Sequence, residues 1–267
     1  MPQGLLYNSD EDFEMLKSKP QPLEDETAYG PLKVLFVSHA GGGDKGEENN
    51  TLRTDVVDGQ VLMELHGHKV RTYYDHYQVE ATPNLEFECE AMIGNGKVDN
   101  ISLKAGNHSM DDFEFGGYGV SFGVDQVESK VEFNHFDPHG SNNGEKFPKD
   151  LDRKIERKVL HGFKYRIQNV KGQRKKILNA WIRYPGETEW TLVMKNRTWN
   201  DQEFLENDIH DEGKKDTEEI KNGVYLGILN RCWVRCNAPT DASDSDKKAA
   251  KVFHHKARIT KIEEFTE

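Results

Sequence analysis

The chain has 267 residues, of which 35% are hydrophobic and 31% charged, and its formal net charge is −11. No run approaches the ~18 apolar residues of a membrane helix, and a negative global field repels nucleic acid and anionic membranes. These values point to a soluble globular protein with one sizeable core, since large sandwiches reach ~200–250 residues as one domain.

Residues 1–30 read as an acidic extension, with one short helix around Asp10–Lys17, and residues 31–267 as the domain. The start, Met1 to Asp12, has neither a basic n-region nor an apolar h-region. The expected compartment is therefore cytoplasmic by default. Lys33–Ser38 is a β-type run, followed by Gly41-Gly42-Gly43-Asp44-Lys45-Gly46. That loop lacks the Gly-Lys-Ser/Thr ending of a phosphate-binding loop. Gln60–Leu65 reads as a strand after the Asp58-Gly59 turn. Leu85–Ile93 alternates, with Leu85, Phe87, Cys89 and Ala91 on one face and Glu86, Glu88 and Glu90 on the other. Asn100–Gly106, Tyr118–Val124 and Lys130–Asn134 alternate in the same way. A period of two is what strands with one buried and one wet face produce.

Gly162–Val170 and Lys176–Tyr184 flank the turn Lys171-Gly172-Gln173-Arg174 and read as a hairpin. Trp190–Lys195 follows Pro185-Gly186 as another strand. Residues 200–222 and 238–248 read as loops, Val224–Asn237 as a long strand or strand pair, and Phe253–Phe265 as the closing strand. About ten strands without a long amphipathic helix predict an all-β, two-sheet antiparallel sandwich. Cys89, Cys232 and Cys236 are the only cysteines, too few for a disulfide framework. Cys232 and Cys236 lie ~13 Å apart on an extended strand, beyond disulfide reach. All three are expected to be free and buried.

Several sequence runs resemble the concanavalin-A-like lectin and glucanase superfold. They are Gly117-Tyr118-Gly119-Val120-Ser121-Phe122, Lys130-Val131-Glu132-Phe133-Asn134-His135, Gly162-Phe163-Lys164-Tyr165-Arg166-Ile167 and Asn179-Ala180-Trp181-Ile182-Arg183-Tyr184. The resemblance implies a jelly roll whose concave sheet binds extended sugars. It also implies calcium as a routine companion, for which Asp55 and Asp58 offer hard oxygen ligands, although their spacing matches no calcium loop. The Glu-x-Asp-x-x-Glu strand of the sandwich glucanases does not occur. Fainter similarity to alginate-lyase-like sandwiches lies in Arg53-Thr54-Asp55, Asn134-His135 and Tyr225-Leu226-Gly227. Each departs from the pattern: Asp stands for Glu, the Gln is missing, and the Lys is missing. The chemistry implied is β-elimination, with a cation neutralising a uronate carboxylate and His or Tyr removing the adjacent proton.

Gly119, Ser121 and Gly123 form an outward strip of minimal bulk, and glycine inside a strand often marks close approach by a ligand or another backbone. The strip reads either as a sugar trough or as a surface onto which a neighbouring loop packs. The walls of a trough would come from Lys104, Glu132, Asn134 and His135, completed by Tyr225 and Arg231, and Arg231 and Trp233 offer guanidinium and aromatic surface that suits sugar rings. His135, Glu132 and Tyr225 are the catalytic candidates; Lys104, Ser121, Asn134, Arg231 and Trp233 are the substrate-binding ones. Arg235 shares the face of Arg231, and Trp181 with Arg183 forms a similar pair. Three further readings stand beside these. Glu86, Glu88 and Glu90 offer an acid/base pair ~7 Å apart, against a solvated strand face. His135, Asp137 and His139 have a spacing open to a metal, against a solvated cluster. His254 and His255 point to opposite faces and read as structural, and His108 is a weaker site candidate. The leading function is a carbohydrate-active protein that binds or cleaves a poly- or oligosaccharide, as a glycoside hydrolase, polysaccharide lyase or lectin. The alternative is a structural or interaction sandwich whose concave face is covered by a partner or by its own N-terminal segment. Oligomeric state stays open.

Overall fold

The computed structural model describes residues 4–18, 23, 27–28, 34–37, 49–54, 58–68, 70–75, 82–107, 116–124, 129–136, 149–200, 229, 231–239 and 241–267. The strands are β1 (Leu5–Asn8), β2 (Thr27–Ala28), β3 (Val34–Val37), β4 (Asn49–Arg53), β5 (Leu62–His66), β6 (Arg71–Asp75), β7 (Leu85–Ile93) and β8 (Asn100–Asn107). They continue as β9 (Gly116–Val124), β10 (Ser129–Phe136), β11 (Lys149–Asp150), β12 (His161–Asn169), β13 (Lys175–Arg183), β14 (Thr191–Asn200), β15 (Arg231–Asn237) and β16 (Lys251–Lys261). Two short helices, α1 (Asp10–Leu16) and α2 (Asp244–Ala249), complete the described elements.

The strands form two sheets. The first runs β14-β13-β12-β7-β16-β5-β4, with β1 paired to β16; the second runs β11-β10-β9-β8-β15-β6-β3-β2. Every pairing between these strands is antiparallel. This is the two-sheet jelly-roll sandwich expected from the alternation. Successive side chains leave opposite faces of a strand, so every second residue enters the layer between the sheets. Ile101, Leu103, Tyr118, Val120, Phe122, Cys232 and Val234 enter it from the second sheet, and Phe87, Cys89, Phe163, Tyr165, Ile182 and Ile259 from the first. Rings meet across the layer: Phe122 and Phe163 lie 4.7 Å apart, and Tyr74 and Phe87 5.9 Å. The three cysteines are free and buried, as expected.

The short helix expected around Asp10–Lys17 is present as α1, and the described part of the N-terminal extension packs on the sandwich: β1 pairs with β16, and Leu6, Tyr7, Phe13 and Leu16 belong to the main apolar cluster. Some elements differ from the sequence reading. Strands β4 and β6 were not anticipated. The stretch read as a loop over 238–248 contains α2, where the Ser243 hydroxyl accepts from the Asp246 amide at 3.2 Å. A Ser N-cap with acidic residues in the first turn is a helix-start signal. β16 carries a bulge between His255 and Arg258, with Lys256 at φ +50°. The bulge sets Lys256 and Ala257 against the single residue Cys89 of β7. The Ser9 hydroxyl closes it by accepting from the Ala257 amide at 2.8 Å.

Candidate functional site

The outer face of the second sheet carries most of the predicted site. On β15, Arg231, Trp233 and Arg235 alternate with the core residues Cys232 and Val234, so they share the outer face. Register places Trp233 between Lys104 of β8 and Tyr73 of β6, and Arg235 between Ser102 and Arg71. The Tyr73 and Trp233 rings lie 5.1 Å apart at 44°, and Arg71 donates to the Tyr73 hydroxyl at 3.0 Å. Ser121 of β9 stands opposite Ser102, and their hydroxyls are 2.8 Å apart. The Ser102 hydroxyl donates to the Asn100 side-chain carbonyl at 2.8 Å, and the Asn237 amide donates to that same oxygen at 2.6 Å. A polar ladder therefore crosses three strands, flanked by four basic side chains and an aromatic pair.

Two expectations about this face are corrected. Direction was read correctly, but the face is not wet: Trp233 is 3% exposed, Lys104 5% and Ser121 6%, with Ser102, Tyr73, Arg231 and Arg235 also buried. A large residue at Ser121 therefore meets a packed hydrogen-bonded site, and not open surface. The glycine strip is not an empty trough either. A Cβ built on Gly119 falls 2.5 Å from Lys104 Cγ and 2.8 Å from the Leu103 carbonyl oxygen. The aliphatic stem of Lys104 lies over Gly119, which explains why that position lacks a side chain.

The remaining candidates are placed by backbone register. Glu132 stands opposite Ser121 and Asn134 opposite Gly119, in the outward set. His135 stands opposite Tyr118, a core residue, in the other set. Pairing thus brings Lys104, Ser121, Glu132, Asn134, Arg231 and Trp233 to one face and sets His135 apart from them. Tyr225, Asp55, His108, Asp137, His139 and the Gly41–Gly46 loop lie outside the described residues. Among the described residues no three His, Cys, Asp or Glu side chains cluster closely enough to hold a metal ion. Sequence reasoning missed Arg71 and Tyr73 as parts of this face, and it set Ser102 in the same outward row as Lys104 without singling it out. The alternating run Arg71-Thr72-Tyr73-Tyr74-Asp75 was the available signal, because aromatic and β-branched residues favour strands.

The outer face of the first sheet is of another kind. Glu86, Glu88 and Glu90 do share a face, as predicted, but all three meet cations, Glu86 and Glu90 closely and Glu88 at longer range. Arg166 donates to Glu86 through two nitrogens at 3.0 and 2.6 Å. Glu90 takes Arg183 at 2.5 Å, His255 at 2.8 Å and Lys256 at 3.0 Å. The hydrogen bond from His255 and the charge of Lys256 draw the Glu90 carboxyl down to about 2. Burial pushes Glu88 up from its ordinary value, and its nearest cation, Arg258, stands 3.9 Å away. Trp181 and Trp190 also lie here, with the Lys164 ammonium 5.1 and 4.5 Å from their ring centres. The histidine pair divides as expected. His255 meets Glu90 on the outside, while His254 is buried and bonded to the Tyr74 hydroxyl at 2.9 Å and the Thr72 hydroxyl at 3.1 Å. Burial lowers the His254 imidazole to about 3.

No protein-family model matches the chain, and no curated protein matches it. Solved structures do. An alginate lyase from Aplysia kurodai is 7% identical, covers 80% of this chain and 87% of its own, and has a TM-score of 0.47. A β-1,3-glucanase from Mycobacterium marinum is 10% identical over 97% of this chain and 100% of its own, at a TM-score of 0.46. The mannose-bound lumenal domain of the lectin VIP36 is 10% identical over 80% and 81%, at 0.47. At identities this low no residue of this chain takes a role from them. The two-sheet antiparallel sandwich of this chain rests on its own strand pairing.

Proposed function

We propose that this protein is carbohydrate-active and holds an acidic polysaccharide against the outer face of the second sheet. One observation carries the reading. In a chain of net charge −11, Arg71, Lys104, Arg231 and Arg235 gather on one face around the Tyr73–Trp233 pair. Aromatic rings take the apolar faces of sugars, and guanidinium groups take carboxylates in a planar fork. The Ser121–Ser102–Asn100–Asn237 ladder supplies hydroxyl and amide groups for sugar hydroxyls, and Glu132 and Asn134 extend that row by register. Cleavage by β-elimination uses the same cations to stabilise the charge that develops on the uronate. The register of His135 supports binding more directly than it supports a proton-transfer role.

The test is a panel of polyuronates and neutral glucans, read for binding and for unsaturated product. Polyuronates are expected to bind and neutral glucans not. Arg235→Gln and Lys104→Gln should each weaken binding about tenfold or more, with melting curves confirming that both variants fold. If product forms, His135→Ala separates a proton-transfer group, with a loss of roughly 10²–10⁴-fold in rate, from a bystander. A second reading is favoured by the burial of the face: an interaction sandwich whose polar face is closed within the chain. It takes over if the parent binds no glycan in the panel.

A further inference from the structure

The outer face of the first sheet holds a cavity of about 430 Å³ near the β4 edge, away from the face discussed above. Its floor is a cross-strand row in which Phe253 of β16 pairs with Glu64 of β5 on one side and Met92 of β7 on the other. Glu64 is buried, and each of its carboxylate oxygens takes a different cation. Oε2 accepts from Arg53 Nε at 2.7 Å, and Oε1 meets Lys251 Nζ at 2.9 Å. Lys158 joins the lining from the 151–160 connection. Among the described residues the lining thus has three cations against one carboxylate. The wall is built to leave the ring clear. A Cβ on Gly94 falls 2.7 Å from Phe253 Cε2, and the Arg157 guanidinium holds this stretch by donating to the carbonyls of Gly94 and Gly96 at 3.1 and 2.8 Å.

The arrangement has a direction. Glu64 engages Arg53 only through Nε, so the two terminal guanidinium nitrogens have no partner among the described residues. They form the planar edge that a carboxylate matches in a bidentate fashion. Phe253 and Met92 offer an apolar floor beside that edge. The volume lies within the range of small-molecule sites.

We propose that this cavity binds a small ring-bearing carboxylate, its anionic group on Arg53 and Lys251 and its ring against Phe253. The inference is independent of the polysaccharide reading, since it uses the other sheet. The experiment is titration of the intact chain with D-glucuronate and with benzoate. Acetate, glucose and inorganic phosphate serve as comparators, followed by calorimetry and by the NMR signals of the Arg53 Nε–H and the Phe253 ring. At least one ring acid is expected to saturate in the millimolar range, with acetate and glucose at least about tenfold weaker. Which ring acid is tighter tells a sugar acid from an aromatic one. Arg53→Gln should weaken binding about tenfold or more. Lys158→Gln, at another exposed position, should weaken it severalfold, and Lys175→Gln on β13, where the lysine pairs with Glu267, should leave it unchanged. The proposal is overturned if neither ring acid saturates by about 50 mM, if phosphate or acetate binds as well, or if Arg53→Gln and Lys158→Gln bind like the parent.

Discussion

On the outer face of the first sheet, Glu86 and Glu90 are matched by cations on neighbouring strands, and Arg183, His255 and Lys256 converge on Glu90 alone. On the outer face of the second sheet, Arg71, Lys104, Arg231 and Arg235 surround an aromatic pair and a serine–asparagine ladder. Both faces come from the same alternation, with the same apolar residues turned to the shared core. The difference lies in what the outward positions do. The first face is cross-linked to itself, so its charges are committed to holding strands in register. The second gathers four basic side chains beside an aromatic pair, with Glu132 in the same outward set by register. Composition alone suggested the reverse emphasis, because a net charge of −11 argues against anionic ligands until the cations are seen together.

The sharpest break in this comparison is a single methyl group. Gly119→Ala puts a carbon within 2.8 Å of the Leu103 carbonyl oxygen, and backbone cannot move aside cheaply. Overpacking of this kind costs about 1–3 kcal/mol, and Gly119→Ala should fall at the upper end, read by urea denaturation. It should also displace the Lys104 stem. Gly162→Ala on the first sheet meets the Trp190 ring edge at 2.8 Å and Arg183 Cβ at 3.0 Å. That ring lies over cations and can swing outward, so the cost should be about 1 kcal/mol or less. Equal losses at the two glycines would contradict the account of Lys104 lying across the second face.

These two glycines also show what was legible from sequence. The strip Gly119, Ser121, Gly123 was visible as an outward row of small residues, and its strand and face are as read. Its occupant was not visible, because a lysine stem lying across a neighbouring strand depends on the β8–β9 register, which alternation does not fix. Arg231 and Trp233 were placed on the correct face for the same reason that Val234 was placed in the core. Their burial was illegible, since alternation tells which face a residue is on and not what lies above that face. The convergence on Glu90 was hidden too. It needs the bulge at Lys256, and a bulge adds one residue without leaving any mark on hydrophobic periodicity. The cavity at Arg53 joins positions about 200 residues apart in sequence, beyond the reach of any local pattern.

A smaller effect is expected at the centre of the first face. Glu90→Gln removes the carboxylate that Arg183, His255 and Lys256 share. Charge-assisted hydrogen bonds contribute about 1.5–3 kcal/mol when well shielded, and partial solvation reduces this to about 1–2 kcal/mol here. The effect has a pH signature. The folded carboxyl is lowered from 4.5 to about 2, so the unfolded chain binds the proton first. The contribution is fully present above pH 4.5 and is lost as pH falls through 2. Urea midpoints measured between pH 6 and pH 2.5 should therefore fall less steeply for Glu90→Gln than for the parent. Parallel curves would mean that Glu90 is not the hub of this face.

The smallest effect should come from Glu86→Gln. Among the described residues Glu86 meets a single cation, Arg166, whose side chain is 39% exposed against 18% for the glutamate. One partly solvated pair contributes between about 0.2 and 1 kcal/mol. The two-nitrogen contact from Arg166 places it toward the upper part of that range. The same pair also brings the Arg166 guanidinium to 5.4 Å from the Trp181 ring centre, a contact that survives when the carboxylate is neutralised. Glu86→Gln keeps a hydrogen-bond acceptor of the same shape, so what it removes is charge and not packing. A loss below about 1 kcal/mol that shrinks further in 0.5 M salt is the expected result, because screening weakens a solvated pair more than a shielded one. The parallel measurement on Glu90→Gln should keep most of its loss in the same salt. If both losses shrink alike, the three-cation cluster is no better shielded than the single pair, and the first face is a solvated strand surface and not a cross-linked one.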